Sequence, residues 1–296
     1  MKKIGLALKR FNSSDLATKK RKISNRIYWI LRTHRYVIWN VSKTLGIKEL
    51  KTNKYETFFV PTRDSTISKH LFISGQFDIE KLLKVSKILN IKNKTLIDVG
   101  ANLGSICIPA CKRKLVMKSI AIEPDKVTFK YLNRNIIENS INSITTINAI
   151  VGKNKGSAIF GSKADNPGDS KVVNSLNEFE FLDTYSVNQI SLNSLIDDLN
   201  PLETIIWIDV QGYEPLVLQG ATEFTDRATP LVLEVFPLGI NQYSNFSELE
   251  QCLSNYTKYA NLKFDILDPF YESMENFKKD FINLENSGGY TDFLFI

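Results

Sequence analysis

Apolar and polar positions change period repeatedly between residues 95 and 235. Short apolar runs of strand length alternate with stretches in which apolar side chains recur every three to four residues, as on one face of a helix. The predicted strands are TLIDV, SIAIEP, SITTINAIV, TIIWIDV and PLVLEVF. This regular alternation predicts an α/β fold, in which helices cover both faces of a mostly parallel sheet.

The pattern changes after the fifth strand. A helix is predicted at residues 247–259, and two further strands, LKFDILD and YTDFLFI, follow with no helix predicted between them. Two consecutive strands of this kind predict an antiparallel hairpin at the edge of the sheet. Residues 152–175 are rich in Gly, Asn and Ser, which predicts an inserted loop or hairpin over the sheet edge.

A helix that ends near Gly46 is predicted at the N-terminal side. Trp29 and Trp39 lie outside its apolar line, and arginines are interspersed along it. Three interpretations stay open: the helix packs on the rest of the protein, lies on an anionic membrane surface, or contacts nucleic acid. The line follows steps of three and four through Ile23, Ile27, Ile30, His34, Val37, Val41 and Leu45.

Three segments are predicted: a basic helical arm (residues 1–51), an accessory segment (residues 52–90) and a main domain (residues 91–296). In the accessory segment, YETFFV is predicted to be a strand, and residues 78–90 a helix capped by Asp78. The side chains predicted to face the core from that helix are Ile79, Leu82, Leu83 and Ile88.

Charge separates the arm from the rest of the chain. The first 51 residues contain 14 Lys or Arg and two acids, a net charge of +12, whereas the remaining 245 residues carry 24 Lys or Arg and 30 acids. The whole chain of 296 residues is 43% apolar and 24% charged, which is typical of a soluble globular protein.

Cysteine content and hydropathy suggest a location. No apolar stretch of the sequence reaches the roughly 18 residues that a membrane-spanning helix needs. Three cysteines, Cys107, Cys111 and Cys252, leave at least one unpaired, and this favours a reducing compartment. We therefore expect a cytoplasmic protein, with peripheral contact to the inner membrane face through the arm as an option.

The motif DVGANLG stands at the predicted carboxyl end of the first strand of the alternation, where sheets of this type bind ligands. A dinucleotide fingerprint needs a middle glycine that lets the backbone approach a pyrophosphate, and Asn102 occupies that position. A nicotinamide oxidoreductase is therefore disfavoured. We assign Asp98, Gly100, Asn102 and Gly104 to a cofactor-binding loop for a ligand that is not a polyanion.

S-adenosylmethionine fits these residues better, because it carries a sulfonium, an ammonium, a carboxylate and an adenosine. Asp98 is predicted to receive the ammonium, and Gly100 to allow a positive-φ turn close to the ligand. Amides at the start of the next helix are predicted to meet the carboxylate. Glu123, at the end of the second strand, is predicted to bind ribose hydroxyls, and Asn148, near the end of the third, to lie at the adenine edge.

The fourth strand ends in Asp209, which this arrangement places beside the reacting methyl group. A hydroxyl acceptor loses its proton during transfer, and Asp209 is the first candidate for the general base. Glu214, at the start of the next helix, and His70 are further catalytic candidates. Glu234, at the end of the fifth strand, is predicted to line the acceptor pocket. A divalent metal held by Asp209 is an alternative, although the sequence shows no compact acidic cluster.

These motifs together resemble the FkbM family of S-adenosylmethionine-dependent methyltransferases. The resemblance spans residues 91–296 and is carried by IDVGANLG, AIEP, NAIVG, SLNSL and IDVQGYEPLVLQGA followed by PLVLEVF. Gln211 replaces a glutamate that family members usually have, and Asn193 replaces an aspartate. The resemblance implies a Rossmann-like class I methyltransferase fold with a mostly parallel seven-stranded sheet. It also implies O-methylation of a sugar, glycan, lipid-linked or natural-product acceptor.

Two rival functions stay open. DPFY at residues 268–271 resembles the D-P-P-Y loop that holds an amino nitrogen in methyltransferases of nucleobases, and the arm would then bind nucleic acid. DPFY follows the fifth strand, whereas the catalytic position in this order is Asp209 at the end of the fourth, so a simple turn is the favoured interpretation of DPFY. The other rival is a non-catalytic binding protein held at a membrane by the arm. Oligomeric state and acceptor identity do not follow from the sequence.

Overall fold

The computed structural model describes residues 30–163, 167–174, 181, 183–263 and 272–296. Residues 1–29 of the predicted arm and the DPFY motif lie outside the described residues. The described strands are β1 (Glu49–Thr52), β2 (Phe58–Pro61), β3 (Thr95–Val99), β4 (Lys118–Ile122), β5 (Ile144–Ile147), β6 (Ile150–Val151), β7 (Gly156–Ser162), β8 (Lys171–Val172), β9 (Asp183–Ile190), β10 (Thr204–Ile208), β11 (Leu231–Val235), β12 (Lys258–Asn261), β13 (Glu272–Ser273) and β14 (Thr291–Phe295).

The described helices begin with α1 (residues 30–44). The others are α2 (Ile67–Ser74), α3 (Ile79–Leu89), α4 (Cys107–Lys112), α5 (Lys126–Glu138), α6 (Glu214–Gln219), α7 (Thr222–Thr225), α8 (Pro237–Ile240), α9 (Phe246–Cys252) and α10 (Phe277–Ser287). The predicted helix over SLNSLIDDL is a 3₁₀ helix, Leu192–Asp198. Within the described residues, no helix combines the length and the apolar character that crossing a bilayer requires.

The central sheet has the strand order β13-β12-β14-β11-β10-β3-β4-β5. Strands β11, β10, β3, β4 and β5 run parallel, and β14 pairs antiparallel with β11. This arrangement confirms the predicted Rossmann-like α/β fold with a mostly parallel sheet. The two-residue strand β13 makes the sheet eight-stranded where seven strands were predicted.

Strand β12 precedes the predicted strand LKFDILD, of which residues 264–268 lie outside the described residues. It pairs antiparallel with β14, which lies within the predicted strand YTDFLFI, but helix α10 lies between β12 and β14, so the connection is not a simple hairpin. Strand β12 begins at Lys258, inside the predicted helix 247–259. Its Tyr259 is fully buried, with its ring centroid 5.5 Å from the rings of Phe277 and Phe293. Packing into this aromatic cluster stabilises an extended chain there and overrides the helical periodicity.

A second sheet has the order β6-β9-β7-β8. It contains β7 and β8 from the predicted insertion and β9, which the sequence pattern did not reveal. Its remaining strand, β6, is the end of the predicted strand SITTINAIV, which the structure divides between the two sheets. Strands β7 and β9 pair antiparallel from Gly156↔Gln189 to Ser162↔Asp183. The phenol of Tyr185 in β9 donates to Asp125 Oδ2 at 2.9 Å, at the start of α5. The second sheet is thereby attached beside the carboxyl ends of β4 and β5.

Burial of both sheet faces explains the continuous apolar runs of β3, β10 and β11, in which every residue is buried. Alternate side chains enter two cores. Leu96 and Trp207 belong to the core under α2–α5, whereas Ile97 and Ile206 belong to the core under α6, α9 and α10. Cys107 and Cys111 pack in the first core.

In the accessory segment, β2 overlaps the C-terminal half of the predicted strand YETFFV, and β1 pairs antiparallel with β2. Helix α3 begins as predicted, but Asp78 has φ 53° and makes no side-chain cap; its carboxylate instead lies 3.0 Å from Lys81 Nζ. Ile79 and Leu82 are buried as predicted. Leu83 is exposed, and Val85 takes the core position in its place.

Candidate functional site

The loop after β3 brings the first predicted residues together. Asp98 is buried, and its Oδ2 accepts a hydrogen bond from the Cys107 amide at 3.1 Å, where α4 begins. Gly100 has φ +83°, and a Cβ there would lie 1.9 Å from the carbonyl oxygen of Asp209. Glycine is therefore required for β3 and β10 to exit side by side. A Cβ at Gly104 would come within 2.5 Å of Ile108, so this glycine serves packing of the loop.

Glu123 is held at the end of β4 by two backbone amides. Asn102 N donates to Oε2 at 2.9 Å, and Asp125 N donates to Oε1 at 2.8 Å. A carboxylate oxygen accepts two hydrogen bonds, so each oxygen retains one further acceptor position. Asn148 Nδ2 donates to the carbonyl oxygens of Glu123 at 2.8 Å and Pro124 at 3.0 Å. Asn148 thus fixes the turn after β4, and its neighbour Ala149 lines the apolar cavity described below.

Two adjoining cavities open at the carboxyl ends of the parallel strands. The apolar cavity lies between Glu123 and the second sheet, and its apolar wall consists of Ile122, Ala149, Ile150, Phe160, Val172 and Tyr213. The acidic cavity has a volume of about 440 Å³ and contains Asp78, Asp98, Asp209, Glu234 and Lys81 in its wall, with Phe77, Phe236 and Tyr290 beside them. Gly100, Asn102, Asp209 and Gln211 line both.

Burial raises the pKa of both strand-end carboxyl groups. The pKa of Asp98 rises to about 7, because loss of solvent outweighs the hydrogen bond from Cys107. The pKa of Glu123 rises to about 8 for the same reason, against the amides of Asp125 and Asn102. Both groups therefore titrate near neutral pH in the free protein.

The turn after β10 forms a bridged pair of carboxyl groups. Gln211 Nε2 donates to Asp209 Oδ1 and to Glu234 Oε2, both at 3.0 Å, so the two carboxyl groups are neighbours. Burial raises the pKa of both. The pKa of Glu234 is raised further by the charges of Asp209 and Glu214. The two groups therefore titrate as a pair, and ionisation of one disfavours ionisation of the other.

Backbone geometry explains why Gln211 reaches both carboxyl groups. Gln211 has φ +59°, and the next residue, Gly212, has φ +103°. A Cβ at Gly212 would lie 2.3 Å from the backbone of Gly239, so only glycine allows the turn to pass α8 this closely. Sequence reasoning assigned no role to Gln211; its substitution for the usual glutamate was the available signal.

Glu214 lies behind this turn and not in either cavity, as far as the described residues line them. Its Oε1 accepts from the amides of Val210 and Gly212, both at 3.1 Å. Its Oε2 has no hydrogen-bond partner among the described residues, and burial raises its pKa to about 7. Glu214 therefore supports the turn that carries Asp209, and it does not lie where the predicted catalytic contact would be made.

His70 lies apart from the other predicted site residues. It is exposed on α2, its ring stands edge-on to Phe77 at 5.3 Å, and it is not among the described residues that line the two cavities. Lys81 is a wall residue that the sequence did not reveal. It forms ion pairs with Asp78, at 3.0 Å, and with Asp292. Asp292 on β14 stands directly across from Glu234 on β11.

The described part of the chain contains no group of three or more His, Cys, Asp or Glu side chains arranged to hold a metal ion. No curated protein matches the sequence. Solved structures with a related fold include M. jannaschii TYW2 in complex with AdoMet, at 15% identity and a TM-score of 0.45, covering 84% of this chain and 85% of that chain.

Two further solved structures are of the same kind. Precorrin-6y C5,15-methyltransferase from Geobacter metallireducens has 12% identity and a TM-score of 0.37, covering 73% of this chain and 87% of that chain. Ribosomal protein L11 methylase from Lactobacillus delbrueckii subsp. bulgaricus has 12% identity and a TM-score of 0.37, covering 73% of this chain and 76% of that chain. Similarities this distant identify no acceptor.

The sequence profile of the methyltransferase FkbM domain matches residues 98–260. That range begins at Asp98 and includes Glu123 and the bridged pair Asp209 and Glu234. It covers more than half of the chain, and it contains the motifs on which the resemblance rested. The chain therefore belongs to the FkbM methyltransferase family, and its methyl donor is S-adenosylmethionine.

Proposed function

We propose that this methyltransferase acts on a hydroxyl oxygen of a sugar, glycan, lipid-linked or natural-product acceptor that binds in the acidic cavity. The observation that supports this proposal is the pair Asp209 and Glu234, bridged by Gln211 in the cavity wall. An alcohol is a weak nucleophile near neutral pH until its proton begins to leave, so transfer to it benefits from a positioned base. A neutral amine carries a free lone pair and needs no such base before attack.

The residues of the two cavities fit S-adenosylmethionine. Asp98 would hold the ammonium, since an ionised carboxylate next to a cation is favourable in a desolvated site. The remaining acceptor position on each Glu123 oxygen fits the two vicinal hydroxyls of a ribose. The apolar cavity offers an aliphatic and aromatic wall for adenine. When bound there, the cofactor supplies an electrophilic methyl group.

The protein's own contribution is then placement and proton transfer. Asp209 lines both cavities and therefore stands where cofactor and acceptor would meet. Gln211 fixes the orientation of its carboxylate by donating to Oδ1, and the same amide holds Glu234 beside it. Asp209 takes the hydroxyl proton as the new C–O bond forms. Phe77, Phe236 and Tyr290 line the same cavity and would give the acceptor an aromatic surface against which it is oriented.

Affinity for S-adenosylmethionine is expected to rise with pH. Asp98 has a pKa of about 7 in the free protein, so below that pH it is mostly neutral and has to release a proton when the ammonium binds. Through Asp98 alone, affinity should fall by about tenfold per pH unit below 7. Glu123 has a pKa of about 8, so if it also binds as a carboxylate, affinity should begin to fall below pH 8 and the slope below pH 7 should be steeper. Calorimetry in two buffers with different ionisation heats would count the released protons.

The matched control is Asp98→Asn in the same titrations. This variant has no titrating group at position 98, so the part of the slope that Asp98 contributes should disappear while any part from Glu123 remains. Affinity of the wild type that is the same on both sides of neutrality would contradict the assignment of these carboxyl groups to the cofactor.

The acceptor class is tested with S-adenosylmethionine labelled on its methyl group. The protein is incubated with glycan, lipid-linked and small-molecule fractions, and in parallel with total RNA. We expect label in a hydroxyl-bearing fraction, as a methyl ether that survives mild alkali, together with release of S-adenosylhomocysteine. Label found only on the bases of RNA would refute the hydroxyl acceptor while leaving methyltransferase activity intact. Label that mild alkali removes, as it would remove a methyl ester, would do the same.

A further inference from the structure

Helix α1 packs on the accessory segment through residues outside its predicted apolar line. Trp39 is 1% exposed, and its ring lies 5.9 Å from the ring of Phe72. Arg35 donates to the carbonyl oxygen of Phe72 at 2.9 Å and to Thr52 Oγ1 at 3.1 Å. The tryptophan that the sequence pattern left outside the apolar line is thus the side chain that anchors the helix.

The apolar line itself points away from the protein. At about 100° per residue, positions 30, 37, 41 and 45 fall within a sector of about 80° on the helix, roughly opposite Trp39. These side chains remain largely exposed: Ile30 by 61%, Val37 by 52%, Val41 by 50% and Leu45 by 71%. We refer to them as the outer apolar face.

Exposed apolar side chains are concentrated here. Of the 16 large apolar side chains that are exposed in the described residues, seven lie between residues 30 and 47, and four of these seven form the outer apolar face. The other nine are distributed over the rest of the chain. Single exposed apolar side chains are ordinary, whereas a contiguous group marks a binding surface. The outer apolar face therefore has the character of a docking surface.

Charge indicates what binds there. From residue 16 to residue 48 the sequence contains no acidic side chain, and residues 1–51 have a net charge of +12. A second copy of the chain on this face would bring two arms of that charge together, which is unfavourable. An anionic lipid surface attracts the same charge and accepts apolar side chains below its headgroups.

We propose that the outer apolar face and the basic arm dock this protein on the surface of an anionic lipid bilayer. The helix lies in the plane of the interface, with the outer apolar face toward the acyl chains. Trp39 and Arg35 hold the rest of the protein on the opposite side of the helix. This docking is independent of the chemistry assigned to the two cavities.

The first test measures co-sedimentation of the full chain with vesicles. Vesicles of phosphatidylcholine mixed with phosphatidylglycerol are compared with vesicles of phosphatidylcholine alone, at low and at high salt. We expect at least about tenfold tighter binding to the anionic vesicles, and loss of that difference at high salt, because salt screens the attraction of the arm. Absence of binding to the anionic vesicles overturns the proposal.

The second test separates the outer apolar face from charge in general. The variant Val37→Glu/Val41→Glu is compared with Ile137→Glu/Leu202→Glu, which adds the same two charges at side chains that are 74% and 69% exposed elsewhere. The first variant should bind anionic vesicles at least about tenfold more weakly, and the control should bind like the wild type. Equal binding by both variants overturns the proposal. A wild-type dimer that the first variant dissociates would instead identify a second copy as the occupant.

A measurement on the wild type covers the case in which the first variant does not fold. Amide hydrogen exchange of residues 30–45 should slow when anionic vesicles are added and stay unchanged with neutral ones. Exchange that anionic vesicles leave unchanged contradicts docking through this helix. It would also be the result if residues 1–29 of the same chain covered the outer apolar face.

Discussion

Replacement of Asp209 by Asn is expected to lower kcat by about 100- to 10,000-fold, the range that a positioned general base contributes. Asn has the shape of Asp and still accepts the hydrogen bond that Gln211 Nε2 makes to Oδ1 at 3.0 Å. Affinity for S-adenosylmethionine should therefore stay within about threefold of the wild type, because the contacts that hold the cofactor are unchanged. Turnover is measured on the fraction that the wild type labels, and binding is measured by calorimetry.

Glu234→Gln is the matched control for Asp209→Asn, since both remove one carboxyl group from the same pair. Glu234 is assigned the supporting role in the pair, and the amide of Gln at position 234 can still accept the hydrogen bond that Gln211 Nε2 makes there. We therefore expect Glu234→Gln to keep kcat within about tenfold of the wild type. Full activity of Asp209→Asn together with an inactive Glu234→Gln would exchange the two roles, and full activity of both would exclude the pair as the base.

The pH profile separates a base from a structural residue. Burial raises the pKa of Asp209 above the ordinary carboxyl range, so kcat of the wild type should fall as pH falls through that raised pKa. The residual activity of Asp209→Asn should lack this acid limb. A variant that lost activity only because the turn had moved would keep the acid limb at a lower rate.

The central strands and their parallel arrangement could be predicted because burial on both faces leaves a direct trace in the sequence. Strands β3, β10 and β11 are apolar runs, and Asp98, Asp209 and Glu234 lie within one residue of the last residue of each. Parallel strands deliver their carboxyl ends to one edge, so the grouping of these three acids follows from the fold class. Their presence in one cavity wall agrees with that argument.

Other features depend on contacts that no local pattern records. Gln211 bridges two carboxyl groups because a positive-φ turn meets the end of a strand that begins some 20 residues later in the chain. Glu214 has a side chain that is suited to acid–base catalysis, but it is buried behind the turn and bound to the amides of Val210 and Gly212. Helix α1 has two sides that are partly apolar, so its own sequence does not show which side packs on the protein. Trp39 anchors the helix because it packs against Phe72, which lies in a different element.

Asp98→Asn is expected to weaken S-adenosylmethionine binding by about 10- to 150-fold, the value of a hydrogen bond to a charged partner. The amide oxygen of Asn still accepts from the Cys107 amide, so the start of α4 is preserved and the loss reports the missing charge. Asp98→Ala removes both the charge and the acceptor of the Cys107 hydrogen bond, and binding of S-adenosylmethionine should become undetectable by calorimetry. Unchanged melting temperature of the Asn variant without cofactor would show that the fold is intact.

Asp226→Asn provides the control for the change in net charge, because Asp226 is exposed and contacts Asn255 at 3.3 Å, away from both cavities. Its affinity for the cofactor should equal that of the wild type. The carboxylate at 98 is expected to act on the ammonium at short range, so its effect should also persist at high salt, which screens charges at a distance far more than contacts in a buried cleft. Wild-type affinity in Asp98→Asn would remove this carboxylate from the cofactor site.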